Sequence, residues 1–158
     1  MKKILKLVLV MMFLLSLVGC GGTTVKELDY QKIQSDISLI VNEEGNPIFG
    51  AMEYSSEPSD IEGLSSDLVE DMLFARPLMN ISSSMYLIVK PVAGQEADVK
   101  LAIEDYLEAY AENWSTYLPD QYDLVMNHLL TEVEGQIVLV ISSDNDAVLE
   151  VIKNSVVD

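Results

Sequence analysis

Apolar residues fall along this chain in several rhythms, and each predicts a different element. Residues 7–17 run Leu-Val-Leu-Val-Met-Met-Phe-Leu-Leu-Ser-Leu, almost without a polar atom. Residues 27–41 space Leu28, Ile33, Ile37, Ile40 and Val41 among acidic and polar neighbours, which predicts a helix. Residues 42–63 are crowded with Gly, Pro, Asn, Ser and Glu and predict a loop, with room for one short strand around Ile48, Phe49 and 52–54. Ser66 to Glu70 reads as a single helical turn.

Beyond that loop the rhythm changes. Residues 72–79 predict a strand that Pro77 pushes toward a sheet edge or an early end. Met85 to Lys90 is β-branched and aromatic, stopped by Pro91 and Gly94, and predicts its antiparallel partner. In residues 95–117, Val99, Ile103, Tyr106, Tyr110, Trp114 and Tyr117 recur at spacings of three and four, the stripe of an amphipathic helix. Pro119 opens a second helix expected to run to residue 132, with Tyr122, Val125, Met126, Leu129 and Leu130 on its apolar face. Gln136 to Ile141 is uninterruptedly apolar after its first residue, as expected of a central strand buried on both faces. Ser143, with Asp146 three residues on, predicts the cap of a last helix. Together these elements predict a two-layer α+β domain, with a small, mainly antiparallel sheet (72–79, 85–90, 136–141) and helices packed on it.

The start of the chain adds an address. Lys2, Lys3 and Lys6 precede the apolar run, which is shorter than the about 20 residues a membrane span needs. Leu17-Val18-Gly19-Cys20 then fits the bacterial lipobox, where lipid joins the cysteine sulfur and cleavage falls just before it. The division predicted is a signal peptide at 1–19, a lipidated tether at 20–26 and one extracytoplasmic domain at 27–158. Removal of the first 19 of 158 residues leaves 139, the size of an ordinary domain. It also removes three of nine basic residues and none of the 26 acidic ones, for a formal charge of −20. Such a surface excludes nucleic acid as a partner and adds no basic patch to the lipid's hold on a membrane. With 49% apolar residues the acidity does not signal disorder.

Candidate chemistry is sparse. Cys20 is the only cysteine, so no disulfide forms and no thiol is left for catalysis once it is lipidated. The single histidine, His128, has no Glu-x-x-His companion and reads as a surface or packed residue within the second helix. Asp144-Asn145-Asp146 begins like a calcium loop, but the sixth and twelfth positions hold Leu149 and Ser155, so no metal site is predicted. Glu104, Glu108 and Glu112 lie four apart and read as a solvated face, with Lys100 relieving part of the repulsion. No phosphate-cradling, dinucleotide or nucleophile-elbow motif occurs, and no cofactor is implied. The distinctive run is Trp114-Ser-Thr-Tyr117-Leu-Pro119-Asp-Gln121-Tyr122. Its aromatics fill the corner between two helices or, alternatively, Trp114, Tyr117 and Tyr122 form a patch for a ligand.

The lipobox, the strand Tyr86-Leu87-Ile88-Val89-Lys90, the helix from Val99 to Tyr110, the Tyr-x-Pro-x-Gln-Tyr junction and the strand 136–141 followed by Ser-Ser-Asp resemble small lipoproteins of Gram-positive bacteria that carry an uncharacterised C-terminal domain. The resemblance covers residues 65–155 and brings no catalytic residues. The functional expectation is a membrane-anchored, non-catalytic binding or envelope-assembly domain with an unidentified protein or small-molecule partner. The alternative is a small cell-surface hydrolase working with paired carboxylates.

Overall fold

The structure, a computed structural model, describes residues 26–157; the signal segment, Cys20 and nearly all of the tether lie outside the described residues. Its elements are α1 (Tyr30–Ile37), β1 (Met52–Ser55), a 3-10 turn (Pro58–Asp60), β2 (Val69–Pro77), β3 (Met85–Pro91), α2 (Glu96–Ser115), α3 (Pro119–Met126), β4 (Leu129–Val133), β5 (Gln136–Ile141) and α4 (Asn145–Lys153). The strands form one antiparallel sheet in the order β1-β2-β3-β5-β4. Among the described residues no helix is long and apolar enough to cross a membrane.

The α+β class and the antiparallel sheet are as expected, but helices cover both faces of it, one layer more than the two anticipated. Alternation along the strands explains why. Met72, Phe74, Met85, Leu87, Val89, Ile137, Leu139 and Ile141 point to one face, where they pack with Val99, Ile103, Leu107 and Trp114 of α2 and Val125 of α3. Leu73, Ala75, Tyr86, Ile88, Val138 and Val140 point to the other, where Ile33 and Ile37 of α1 and Val148 and Ile152 of α4 meet them. All six positions of β5 are buried, so a sheet covered on one side would leave half of them wet. β5 is an interior strand as expected, although the middle of the five is β3.

Local chemistry moved several boundaries. The second helix ends at Met126, where Asn127 Nδ2 donates to the Asp123 carbonyl at 2.8 Å, and residues 129–133 form strand β4 instead. Leu129 and Leu130 suit either a helical stripe or two sheet faces. The deciding feature is the two-residue turn Glu134–Gly135, both at positive φ (49° and 83°), which folds β4 back on β5 as a hairpin. His128 accordingly lies in the link between α3 and β4, not within a helix.

At the other corrected ends, Asp144 rather than Ser143 caps α4, accepting from the Ala147 N–H at 3.0 Å. Val69 and Glu70 open β2 instead of closing a helical turn, and a register shift between Val69 and Asp71 hides the strand alternation there. α1 is shorter than 27–41 because Asp29 caps it and Leu28 pairs with Val156. The expected loop at 42–63 contains β1 and the 3-10 turn, and its Phe49 packs edge-on against Tyr86 at 5.6 Å. A carboxylate placed at Val138, which is fully buried, would lack any partner. Val138→Asp is therefore expected to destabilise the protein by at least about 3 kcal/mol; an unchanged urea midpoint would refute the double-sided burial of β5.

Candidate functional site

Among the described residues α2 is the longest helix, begun by Glu96 and Asp98 at its positive end. Its buried stripe holds Val99, Ala102, Ile103, Leu107 and Trp114. Pro119 starts α3 after Leu118, whose extended backbone (φ −138°, ψ 95°) turns the chain. Gln121 then fixes α3 to the turn between β2 and β3. Its side-chain oxygen accepts from the Ser83 N–H at 2.7 Å, and its carbonyl accepts from the Ser83 hydroxyl at 2.9 Å. Ser83 is fully buried, so these bonds also satisfy its polar atoms.

The corner separates the three residues that the alternative reading gathers in one aromatic patch. Trp114 is buried (6% exposed) and closes a file of rings, with Tyr106–Tyr110 centroids 5.6 Å apart and Tyr110–Trp114 centroids 6.0 Å apart. Tyr117 is 60% exposed, its ring 6.4 Å from that of Trp114. Those two line a shallow cleft with Tyr110, Asn80 and Asn113. Tyr122 lies elsewhere, in the groove between α2 and α3. The Trp114 indole N–H is buried without a partner. Burial raises the pKa of Tyr110, an effect the neighbouring indole partly offsets, while the Tyr110 hydroxyl itself donates to the Ser83 carbonyl at 3.4 Å.

The α2–α3 groove is the larger feature, about 500 Å³. Leu107 and Ala111 from α2 and Tyr122, Val125 and Met126 from α3 line it with carbon. Glu104, Glu108 and Glu112 stand along the α2 wall, all exposed, and His128 closes one end. The His128 Nδ1 lies 2.7 Å from the Val125 carbonyl, which accepts only, so that nitrogen carries the proton.

The carboxylates of this wall are uncompensated. Every Lys and Arg among the described residues is engaged elsewhere: Lys26 with Glu134, Lys32 with Asp36, Arg76 with Glu53 and Asp60, Lys90 with Glu27 and Glu70, Lys153 with Glu150. Lys100, expected to relieve Glu104, reaches Glu132 of β4 at 3.4 Å instead. The sequence reading missed this groove because its α2 wall lies one residue, about 100°, around the helix from the aromatic stripe, and its other wall lies beyond the Pro119 corner. The available signal was Leu107 and Ala111 lying one position from the glutamates at the same helical period.

Among the described residues no group of three or more His, Cys, Asp or Glu side chains is placed to hold a metal ion. The carboxyls of Asp67 and Glu96 are lowered, the first by the Ser65 hydroxyl and the second by the N–H groups of Glu96 and Gly94. The arrangement favours holding a ligand that is partly apolar and partly cationic.

The burial of Trp114 gives a direct test. Trp114→Ala is expected to cost roughly 3–5 kcal/mol, whereas Tyr117→Ala should leave the urea midpoint nearly unchanged. Trp114 is the only tryptophan, so native emission reports this site alone and should be blue-shifted. Water-like emission with a stable Trp114→Ala protein would contradict the packing described here.

Comparison with known proteins finds no curated protein and no solved structure that matches. A family model described as Domain of unknown function (DUF4358) matches residues 59–143. The matched span runs from the 3-10 turn through β5 and contains both walls of the groove and the whole aromatic file. With more than half its length inside that match, the chain belongs to the DUF4358 family.

Proposed function

We propose that this chain is a lipid-anchored extracytoplasmic lipoprotein of the Gram-positive type, tethered through Cys20, whose domain binds a partner in the α2–α3 groove without transforming it. The observation that carries this reading is the groove itself, an open apolar channel walled by carboxylates that no Lys or Arg among the described residues pairs with. The lipobox supplies the anchor. The placement of the tether supports the same reading. Lys26, the last residue of the tether and the first described one, donates its N–H to the Glu134 carbonyl at 3.1 Å, in the turn that ends β4. α3 adjoins the other end of β4, so the groove and the tether sit at opposite ends of that strand. An anchored domain of this kind presents its groove away from the lipid surface.

Two measurements test the reading. Cys20→Ala is expected to accumulate as uncleaved precursor without thioether-linked lipid; normal cleavage and lipid labelling in that variant would remove the anchor. A photocrosslinking residue at position 126, in the groove, should capture a partner in intact cells, while one at position 39, exposed on the opposite side of the sheet, should not. Equal capture at both positions, or none at 126, would refute the groove as the binding face.

A further inference from the structure

We infer that the occupant of the α2–α3 groove is a basic amphipathic helix of a partner protein. The inference rests on the reading of the groove as a binding face and adds what it binds. Four observations lead to it. The α2 wall is a helical stripe, Glu104, Leu107, Glu108, Ala111, Glu112 and Ser115, extending about 16 Å at 1.5 Å per residue. That length accepts about three turns of a docked helix, and an apolar channel between two helices is the usual seat for the apolar face of a third. The floor is carbon on both sides, and Met126 is 55% exposed, an unbranched side chain able to adapt to different apolar partners.

The rim then selects sign. The three glutamates repeat every fourth residue, the period at which a helix lying alongside presents its own flanking side chains. Among the described residues no Lys or Arg reaches them, because all six pair with other acids. A partner bringing Lys or Arg at the edges of an apolar face satisfies rim and floor together. A second copy of this chain does not. Its α2, α3 and α4 are net acidic and its α1 is neutral, and α1 and α4 hold one lysine each, already paired with Asp36 and Glu150. A small polyamine would meet the rim but leave the floor wet.

The test uses the full lipidated chain in phosphatidylcholine nanodiscs and a labelled peptide with Leu on one helical face and Lys on both flanks. Controls are the same composition in scrambled order, the Glu-for-Lys version, spermidine and empty nanodiscs. The amphipathic peptide should bind the protein, with affinity falling about tenfold in the Glu104→Gln, Glu108→Gln, Glu112→Gln triple variant and falling with added salt far less in that variant than in the native protein. Met126→Ser should weaken binding without changing its salt dependence. These positions are exposed, and an unchanged Trp114 emission checks that each variant is folded. Equal binding by the triple variant, equal binding of the scrambled peptide, or displacement by equimolar spermidine would overturn the inference. So would peptide binding that disappears as the protein is concentrated, the sign of self-association. If the peptide fails while position 126 still captures a partner in cells, the occupant is of another class and the groove reading stands; if both fail, the groove is not the binding face.

Discussion

Strands β3 and β5 carry apolar side chains on both faces, and keeping both faces dry is the constraint that the rest of the domain satisfies. Their shared register sets Met85 opposite Ile141 and Val89 opposite Ile137, so five consecutive pairs are buried with no polar edge between them. One face is closed by α2 and α3, which are adjacent in the chain and joined by the Pro119 corner. The other is closed by α1 and α4, which come from opposite ends of the described chain and are held together where Leu28 pairs with Val156 and Asp29 donates its N–H to the Ser155 carbonyl at 2.9 Å. The sheet thus dictates helices at both ends of the sequence, although nothing local to either helix states the need.

Charge is disposed just as one-sidedly. With six basic residues against 26 acidic ones in the chain after Gly19, neutralisation within the domain is impossible, and where the cations are spent matters. Lys90 is the clearest case. Its ammonium lies 2.6 Å from Glu27 and 2.7 Å from Glu70, is largely covered, and is held protonated chiefly by the Glu27 carboxylate, with Glu70 adding to it. It ties the incoming chain to the bulge that starts β2. Lys26 similarly holds the chain to the β4–β5 turn, and Arg76 stacks over Phe74 while pairing with β1 through Glu53. The cations fasten edges and ends, and the α2 wall is left negative.

Period was legible in the sequence wherever one rhythm ruled a whole element. α2, β3 and β5 show unambiguous patterns and stand within a residue or two of where those patterns put them. The aromatic junction was legible as a corner, and Trp114 as part of its packing, because stripe spacing and Pro119 are local signals. What was not legible depended on partners distant in the chain. β4 looked helical until β5 was available to pair with it, and β2's first residues lost their alternation to a bulge whose role involves Lys90 and Glu27. The site was less legible than the fold for the same reason. Glu104, Glu108 and Glu112 appear as an ordinary solvated face until Lys100 is seen to turn toward Glu132 and α3 is seen to build the second wall.

The extent of the family match adds a last argument about which half of the domain carries function. Residues 59–143 include four of the five strands, α2 and α3, but neither α1 nor α4. A segment of that extent closes one face of the sheet and leaves the other, with Tyr86, Ile88, Val138 and Val140, open. The flanking helices are required by burial rather than by chemistry, since any pair of amphipathic helices of suitable length satisfies apolar alternation on that side. The groove differs in kind. Its floor positions serve the core only in part, for Met126 remains exposed and Ala111 half-buried, and its rim glutamates contribute nothing to packing. Three like charges at helical spacing oppose one another, and no Lys or Arg among the described residues relieves them. Packing therefore does not account for the α2–α3 groove, and this is the feature on which the proposed binding role rests.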